Sequence, residues 1–150
     1  MRSRRVIRVT VGLLVIAATL AFVLTSCPSN RDGMPGQLAT AKDDTQSAAR
    51  SAALALQMWA QHSSTRNLTS VQLADARDEV VKAFRGIATL KAEDPADLGR
   101  QLMLTRAMTD VVGTINDANA AVRALPGRPD PRALGQRLVD DADALERDYR

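Results

Sequence analysis

Three features of this 150-residue chain have side chains that could do chemistry. Cys27 is the only cysteine, His62 is the only histidine, and acidic residues cluster from Asp140 to Asp148. Cysteine and histidine ligate metals and act as nucleophiles or bases, and clustered carboxylates attract hard cations. A single cysteine cannot form a disulfide within the chain, so an oxidising environment would add nothing to the stability of the fold.

The residues before Cys27 have the pattern of a targeting signal. Four of the first eight residues are arginine, and no acidic residue occurs before Asp32. The 16 residues from Val9 to Leu24 are apolar apart from two threonines and a glycine. This length is short of the roughly 20 residues that a helix needs to span a bilayer. A basic start followed by a short apolar core is typical of a secretory signal peptide.

Leu24-Thr25-Ser26-Cys27 ends this core and resembles the lipobox of bacterial lipoproteins. The resemblance implies that residues 1–26 are removed as a signal peptide and that the Cys27 thiol carries a diacylglycerol thioether. Two acyl chains on Cys27 would hold the protein at the extracytoplasmic face of the bacterial cell membrane, whereas one chain alone gives only marginal binding. The alternative is an uncleaved signal anchor in which the Cys27 thiol has no role.

Removing the signal changes the charge of the protein. The chain has 20 Lys+Arg and 17 Asp+Glu, and four of the arginines but none of the acids precede Cys27, which leaves 16 basic against 17 acidic residues. The net charge of +3 of the whole chain is therefore a property of the signal. Because nucleic-acid binding needs a net basic face, the sequence predicts no nucleic-acid partner.

The mature part is expected to be a flexible tether followed by one all-α domain. Residues 27–36 contain two prolines and two glycines without periodicity, which indicates a tether. Residues 37–150 show apolar residues at helical spacing, with no alternating β-branched run and no hairpin signal. Four amphipathic helices with short connections predict an antiparallel up-and-down four-helix bundle.

The first predicted helix runs from Gln37 to His62. Its apolar stripe is mostly alanine, so a neighbouring helix can approach closely. The stripe consists of Leu38, Ala41, Thr45, Ala48, Ala52, Ala55 and Trp59. Trp59 is expected to fill the core rather than to stack on a ligand, because it is in register with the stripe.

Capping signals mark the start of the second helix. After a polar loop at residues 63–67, Thr69 and Gln72 have the spacing of a capping box. Leu68 and Leu73 are placed to form a hydrophobic staple across this start. The predicted core stripe of this helix is Leu73, Ala76, Val80, Phe84, Ile87 and Leu90.

Proline marks the starts of the third and fourth helices. Asp94 is expected as an N-cap and Pro95 as the first helical residue, which ends helix two near Glu93 in a tight turn rather than a kink. The same Asp-Pro pair recurs at 130–131, directly after a Pro-Gly-Arg-Pro stop, and helix four then runs to the end of the chain. The predicted stripe of helix three is Leu98, Leu102, Thr105, Met108, Val112, Ile115, Ala118, Val122 and Leu125. That of helix four is Leu134, Leu138, Ala142, Leu145 and Tyr149.

His62 and the acidic run do not specify an active site. His62 falls near the end of helix one, where a cation interacts favourably with the helix dipole and the last carbonyls. The acids fan around helix four with arginines among them, which favours a solvated, salt-bridged face over a metal site. They are Asp140, Asp141, Asp143, Glu146 and Asp148. Phosphate-binding glycine loops, nucleophile elbows and zinc motifs do not occur, so we predict no catalysis, cofactor or metal.

The remaining candidates lie on helices two and three. Four polar residues on or beside the seam of helix three could line a cavity for a polar ligand, set the register of the helix, or face solvent: Thr105, Thr109, Asn116 and Asn119. Three glycines inside the predicted helices indicate close packing or a bend, because glycine costs stability there: Gly86, Gly99 and Gly113.

The sequence is compatible with two functions. The favoured one is a lipid-anchored, non-enzymatic bundle that binds another envelope protein. The alternative is a bundle that binds a small ligand, which a sizeable cavity lined by the polar residues of helix three would favour. An envelope enzyme would require converging titratable groups, and the sequence specifies none.

Overall fold

The structure, a computed structural model, describes residues 33–124 and 129–149. Within these ranges it consists of α1 (Met34–Ala60), α2 (Arg66–Ala88), α3 (Pro95–Val122) and α4 (Pro131–Asp148), with no strand. Consecutive helices pack against each other, and α4 packs back against α1. The predicted all-α, up-and-down four-helix bundle is therefore confirmed.

Helices α1 and α3 lie across the short diagonal of the bundle. These two helices contact each other, whereas α2 and α4 do not. The alanine stripe of α1 explains this shape, because small side chains let the opposite helix come close. Six residues of the stripe are buried as predicted: Leu38, Ala41, Thr45, Ala48, Ala52 and Ala55. Trp59 is only half-buried and packs against the edge of the core instead of filling it.

The stripes predicted for α2 and α4 also face the core. Their buried members are Leu73, Ala76, Val80, Ile87, Leu134, Leu138, Ala142 and Leu145. Phe84, Leu90 and Tyr149 are half-buried and pack against this core. In both helices the regularly spaced apolar residues are the ones that face the core, so their spacing was enough to identify the buried side.

The stripe predicted for α3 is wrong in its N-terminal half. Leu98 and Leu102 are 46% and 61% exposed. The buried face begins one position earlier and consists of Asp97, Gln101, Leu104, Met108, Val111, Thr114, Ile115, Ala118 and Val122. Leu125, the last residue of the predicted stripe, lies outside the described residues. Apolar residues occupy two adjacent stripes of this helix, and packing against α1, α2 and α4 decides which one is buried.

Gln101 is a buried polar residue that joins α3 to α2. Its amide Nε2 donates to the carbonyl oxygens of Ile87 at 2.6 Å and Leu90 at 3.0 Å. These carbonyls lie at the end of α2, where intrahelical donors run out. The bonds hold the turn between the two helices, so the break predicted at Asp94 and Pro95 is a turn and not a kink.

The first helix begins earlier than predicted. α1 starts at Met34 instead of Gln37, with Gly33 as its N-cap and Pro35 in the first turn. Proline is tolerated there because a first-turn N–H has no intrahelical acceptor. Residues 34–36 therefore belong to the bundle and not to the tether. α1 ends at Ala60, two residues before the predicted end.

The second helix also begins earlier, at Arg66. Thr65 is its N-cap and accepts a hydrogen bond from the backbone N–H of Leu68 at 3.3 Å. Thr69, the predicted cap, is buried, and its hydroxyl is 2.8 Å from the Ser64 hydroxyl. Leu68 is 49% exposed, which is not the environment of a hydrophobic staple. The helix begins earlier than predicted because the Thr65 hydroxyl can cap it, as the Thr69 hydroxyl was expected to do, one turn upstream.

The Asp-Pro starts are where the sequence placed them. Asp94 caps α3 by accepting from the N–H of Ala96 at 2.9 Å, and Pro95 is the first helical residue. Asp130 occupies the N-cap position of α4, although its side chain makes no capping hydrogen bond. α2 ends at Ala88, five residues before the predicted Glu93.

Of the two interpretations of the three helical glycines, close packing or a bend, close packing is wrong. A Cβ atom added at Gly86, Gly99 or Gly113 would have no neighbouring atom within 4 Å. Gly135 does lie against another helix, since a Cβ there would be 3.5 Å from the Cβ of Leu56. That distance is an ordinary van der Waals contact.

Candidate functional site

The predicted lipid-attachment residue, Cys27, lies outside the described residues. The same holds for the signal peptide at 1–26, including Leu24, Thr25 and Ser26, and for most of the predicted tether. None of the helices in 33–124 and 129–149 combines the length and hydropathy needed to cross a bilayer. Attachment through Cys27 therefore stays a prediction that rests on the sequence motif.

His62 ends α1 through its backbone and not through its imidazole. Its φ angle is 57°. Its N–H donates to the carbonyl of Trp59 at 3.0 Å, and the N–H of Ser63 donates to the carbonyl of Met58 at 2.9 Å. This is a Schellman motif, in which a left-handed residue just after the helix lets the last carbonyls find donors. The imidazole is exposed, and no three His, Cys, Asp or Glu residues of the described ranges are placed to hold a metal.

Two acids of the α4 run form an interhelical cluster with α1. Arg50 Nη2 is 3.2 Å from Asp143 Oδ1 and 3.1 Å from Glu146 Oε2. Gln46 Nε2 donates to the carbonyl of Ala142 at 2.9 Å and to the Glu146 carboxylate at 3.2 Å. Hydrogen bonds to both carboxylates raise the pKa of Arg50 above its usual value. Asp143 and Glu146 therefore join α4 to α1.

Asp141, in the same run, has a different environment. Its Oδ2 atom is buried and has no hydrogen-bond partner among the described residues. Burial raises the pKa of its carboxyl group, against a lowering by the charge of Arg137 and with smaller increases from Asp110 and Asp140. A buried carboxylate oxygen that lacks a hydrogen-bond donor can accept a hydrogen bond from a donor on a bound partner.

Asp141 lines a groove of about 450 Å³ between α3 and α4. The apolar part of its lining includes Leu102, Met103, Ala107, Ala144 and Leu145. The charged part is Arg106, Asp110, Asp141 and Asp148. The groove follows the first half of α3 and the last turns of α4. In an up-and-down bundle these segments lie at the same end as the start of α1.

The polar residues of α3 give no support to the predicted ligand cavity. The Thr105 hydroxyl donates to the carbonyl of Gln101 at 2.9 Å, and the Thr109 hydroxyl donates to the carbonyl of Thr105 at 2.8 Å, so both are used within the helix. Asn116 is exposed, and Asn119 is half-buried with an Oδ1 atom that has no partner in the described ranges. The grooves on either side of α1 and the groove between α3 and α4 are lined by other residues.

Two further grooves flank α1. One, of about 510 Å³, lies between α1 and α4, and the other, of about 490 Å³, lies between α1 and α2. Leu54, 56% exposed, lines both of them. In the second groove burial raises the pKa of Asp44, and the charge of Glu79 raises it further while that of Lys82 lowers it. Both grooves are lined by polar as well as apolar side chains.

Sequence reasoning missed the groove between α3 and α4 because it assigned Leu98 and Leu102 to the core. A signal was present in the spacing. The regular core stripe from Leu104 to Val122, continued towards the N-terminus, passes through positions 101 and 97 and not through 102 and 98. Leu98 and Leu102 were assigned to the core because both are apolar, whereas the buried positions are occupied by the polar residues Gln101 and Asp97.

Comparisons with protein-family models, curated protein sequences and solved structures gave no significant match. No activity can therefore be transferred from a relative. The features of this chain that indicate a function are the sequence motif around Cys27 and the surface of the bundle.

Proposed function

We propose that this protein is a lipid-anchored component of the bacterial cell envelope whose helical bundle acts by binding another envelope protein. The observation that carries the proposal is Leu24-Thr25-Ser26-Cys27 at the end of a short apolar core behind a basic start. The pattern implies removal of residues 1–26, a diacylglycerol on Cys27, and a location on the extracytoplasmic face of the membrane. We propose no catalytic residue, cofactor or metal.

The start of the bundle suits a short anchor. Gly33, the N-cap of α1, lies six residues after Cys27 (33 − 27). An extended chain spans at most about 3.5 Å per residue, so an anchored Cys27 would keep this end of the bundle within about 20 Å of the bilayer surface. A binding surface at this end would therefore meet partners that are themselves bound to the membrane.

Protein binding is favoured over small-ligand binding by the surface of α3. Leu98 and Leu102 are one turn apart, and both expose about half of their surface. Adjacent exposed apolar side chains mark interaction surfaces, whereas isolated ones are common everywhere. The ligand-binding alternative depended on Thr105, Thr109, Asn116 and Asn119 as the lining of a cavity. The two threonine hydroxyls bond to carbonyls of their own helix, and none of the four residues lines the grooves beside α1 or between α3 and α4.

Mass spectrometry of the protein extracted from the membranes of the producing bacterium tests the anchor. We expect the chain to begin at Cys27 and to carry the mass of a diacylglyceryl group. Cys27→Ser removes the thiol, so this variant should keep residues 1–26 and carry no lipid. Ser29→Ala is the control and should be processed like the native chain. An unmodified Cys27 on a chain that retains residues 1–26 would contradict the proposal.

A further inference from the structure

The groove between α3 and α4 has an apolar surface of the kind that receives a third helix. Leu102, which is 61% exposed, lines it together with Met103 and Leu145. Leu98, which is 46% exposed, lies one turn before Leu102 on α3. Gly99, which also lines the groove, has open space where a side chain would stand. A helix laid in a groove between two others buries such leucines and gains from close backbone approach.

The groove is also acidic. Of its four charged residues only Arg106 is basic, against Asp110, Asp141 and Asp148. Asp141 Oδ2 is buried and has no hydrogen-bond partner in the described ranges. Because this oxygen is already out of water, a Lys or Arg side chain that reaches it forms a charge-assisted hydrogen bond with little further dehydration of the acid. The groove is therefore complementary to an apolar surface that contains a cation.

The position of the groove in the bundle indicates which class of partner can reach it. The groove runs along the end of the bundle at which α1 begins, and that end is tied to Cys27 by the short segment before Gly33. We propose that it docks an amphipathic helix of another membrane protein, with a Lys or Arg on the apolar face of that helix paired to Asp141. This rests on the proposed function, because only the anchor holds the groove beside the bilayer.

The bilayer itself and a second copy of the chain fit the groove less well. The carboxylates of Asp110, Asp141 and Asp148 would be repelled by anionic lipid headgroups. A second copy could offer exposed Leu68 and Val71 of α2, which have Arg66 beside them. These residues lie towards the opposite end of the bundle, roughly 15–20 Å farther along its axis than Leu102 at a rise of 1.5 Å per residue, so a copy anchored at the same end would not bring them level with the groove.

Photocrosslinking of the full-length, lipidated protein in its own membrane tests the proposal. A benzophenone amino acid replaces Arg106, an exposed residue that lines the groove. The control carries the same probe at Arg77, which is exposed on α2. The two positions are at matched heights, eleven residues from the start of α3 (106 − 95) and eleven from the end of α2 (88 − 77). We expect a discrete protein adduct at 106 and none at 77, with the crosslinked peptide of the partner lying in an amphipathic helix that contains Lys or Arg.

Two variants combined with the probe at 106 test the residues that carry the argument. Asp141→Asn removes the charge at constant shape, and Leu102→Ser removes the exposed apolar side chain. Each should lower the yield of the adduct about tenfold, since a central apolar anchor or a desolvated ion pair is lost. Asp75→Asn, on the exposed side of α2, is the control and should not change the yield. Thermal unfolding of each variant verifies that the bundle is intact.

Each other outcome contradicts the proposal in a distinct way. An adduct with lipid, an adduct with a second copy, or no adduct at 106 would overturn it, and an adduct that persists at full yield in Asp141→Asn would rule out the ion pair. The mass of Cys27 is measured on the same samples. An anchored protein without the adduct would therefore refute the groove and leave the proposed lipid anchor standing.

Discussion

His62 and Ala124 hold left-handed backbone conformations that glycine adopts at lower cost. Their φ angles are 57° and 59°, and each lies just beyond the end of a helix. The N–H of Ala124 donates to the carbonyl of Ala121 at 2.9 Å, as the N–H of His62 does to that of Trp59. A Cβ atom is crowded in this conformation, at a cost of about 1–2 kcal/mol. Both residues accept it because the last carbonyls of α1 and α3 gain donors.

Ala124→Gly should therefore stabilise the protein. We expect the free energy of unfolding to rise by about 0.5–1 kcal/mol, because glycine removes the crowding but loses more entropy on folding. Urea unfolding of the two proteins measures the difference. Ala120→Gly, four residues earlier in the right-handed part of α3, should have the opposite sign. If both substitutions destabilise the protein equally, the left-handed conformation at 124 is not present in solution.

Asp141 should make the stability of the bundle depend on pH. Burial raises the pKa of this carboxyl group in the folded protein. The folded state then holds the proton more tightly than the unfolded state, so stability from this group is present at low pH and is lost as pH rises through the folded-state pKa. At pH 7 the buried charge opposes folding, and Asp141→Asn should unfold at a higher urea concentration than the native protein.

The stabilisation by Asp141→Asn should shrink as the pH is lowered into the range where the native Asp141 is protonated. Urea unfolding of both proteins from pH 7 down to pH 4 gives this comparison. Asp75→Asn, at an exposed position on α2, is the control and should stay within about 0.5 kcal/mol of the native protein throughout. A constant difference between Asp141→Asn and the native protein across the range would exclude titration of Asp141 as its cause.

At the scale of the helices, the boundaries marked by an Asp-Pro pair were predicted well, and those without such a signal were not. Asp94 and Pro95 begin α3 where the sequence placed them, because a side-chain acceptor followed by a residue without N–H suits the first turn. The start of α2 was misjudged because Thr65 and Thr69 both have cap chemistry. Only the packing of Thr69 into the core decides between them, and a local signal does not contain that information.

The exposed glycines of α2 and α3 destabilise these helices, and neither glycine is needed for close packing against another helix. Gly86 and Gly113 have open space around the position of a Cβ. Replacing either one with Ala should raise the free energy of unfolding by about 0.5–1 kcal/mol, because alanine loses less backbone entropy in a helix. Chemical unfolding of the single and double variants measures this, and the two effects should add. A loss of stability in either variant would show that the glycine is held in a close contact.

At the scale of the whole molecule, the sequence predicted the bundle but not its most exposed apolar site. In helices α1, α2 and α4 the regularly spaced apolar residues form the buried side, so the spacing was enough to predict it. α3 has apolar residues on two faces, and the choice between them depends on contacts with three neighbouring helices. The groove with Asp141 is formed by residues of two helices about forty positions apart, and no local pattern brings them together.

The close approach of α1 and α3 across the bundle depends on the alanine stripe of α1. Ala52 is fully buried within this stripe, and its neighbours Ala48 and Ala55 are buried as well. A leucine at position 52 would need space that the opposing helices already occupy. Overpacking of this kind forces off-rotamer side chains or backbone shifts and typically costs about 1–3 kcal/mol. The stability of Ala52→Leu therefore reports on how the bundle is closed.

Ala52→Leu should accordingly lower the free energy of unfolding by about 1–3 kcal/mol in urea. Ser51→Leu makes the same side chain one residue away on the exposed side of α1, and it should change stability by no more than about 0.5 kcal/mol. The contrast between the two variants separates overpacking from the general effect of adding a leucine. An unchanged unfolding midpoint in Ala52→Leu would mean that the stripe faces outward in solution. The stripe would then join the α3 surface as a docking site for a partner helix.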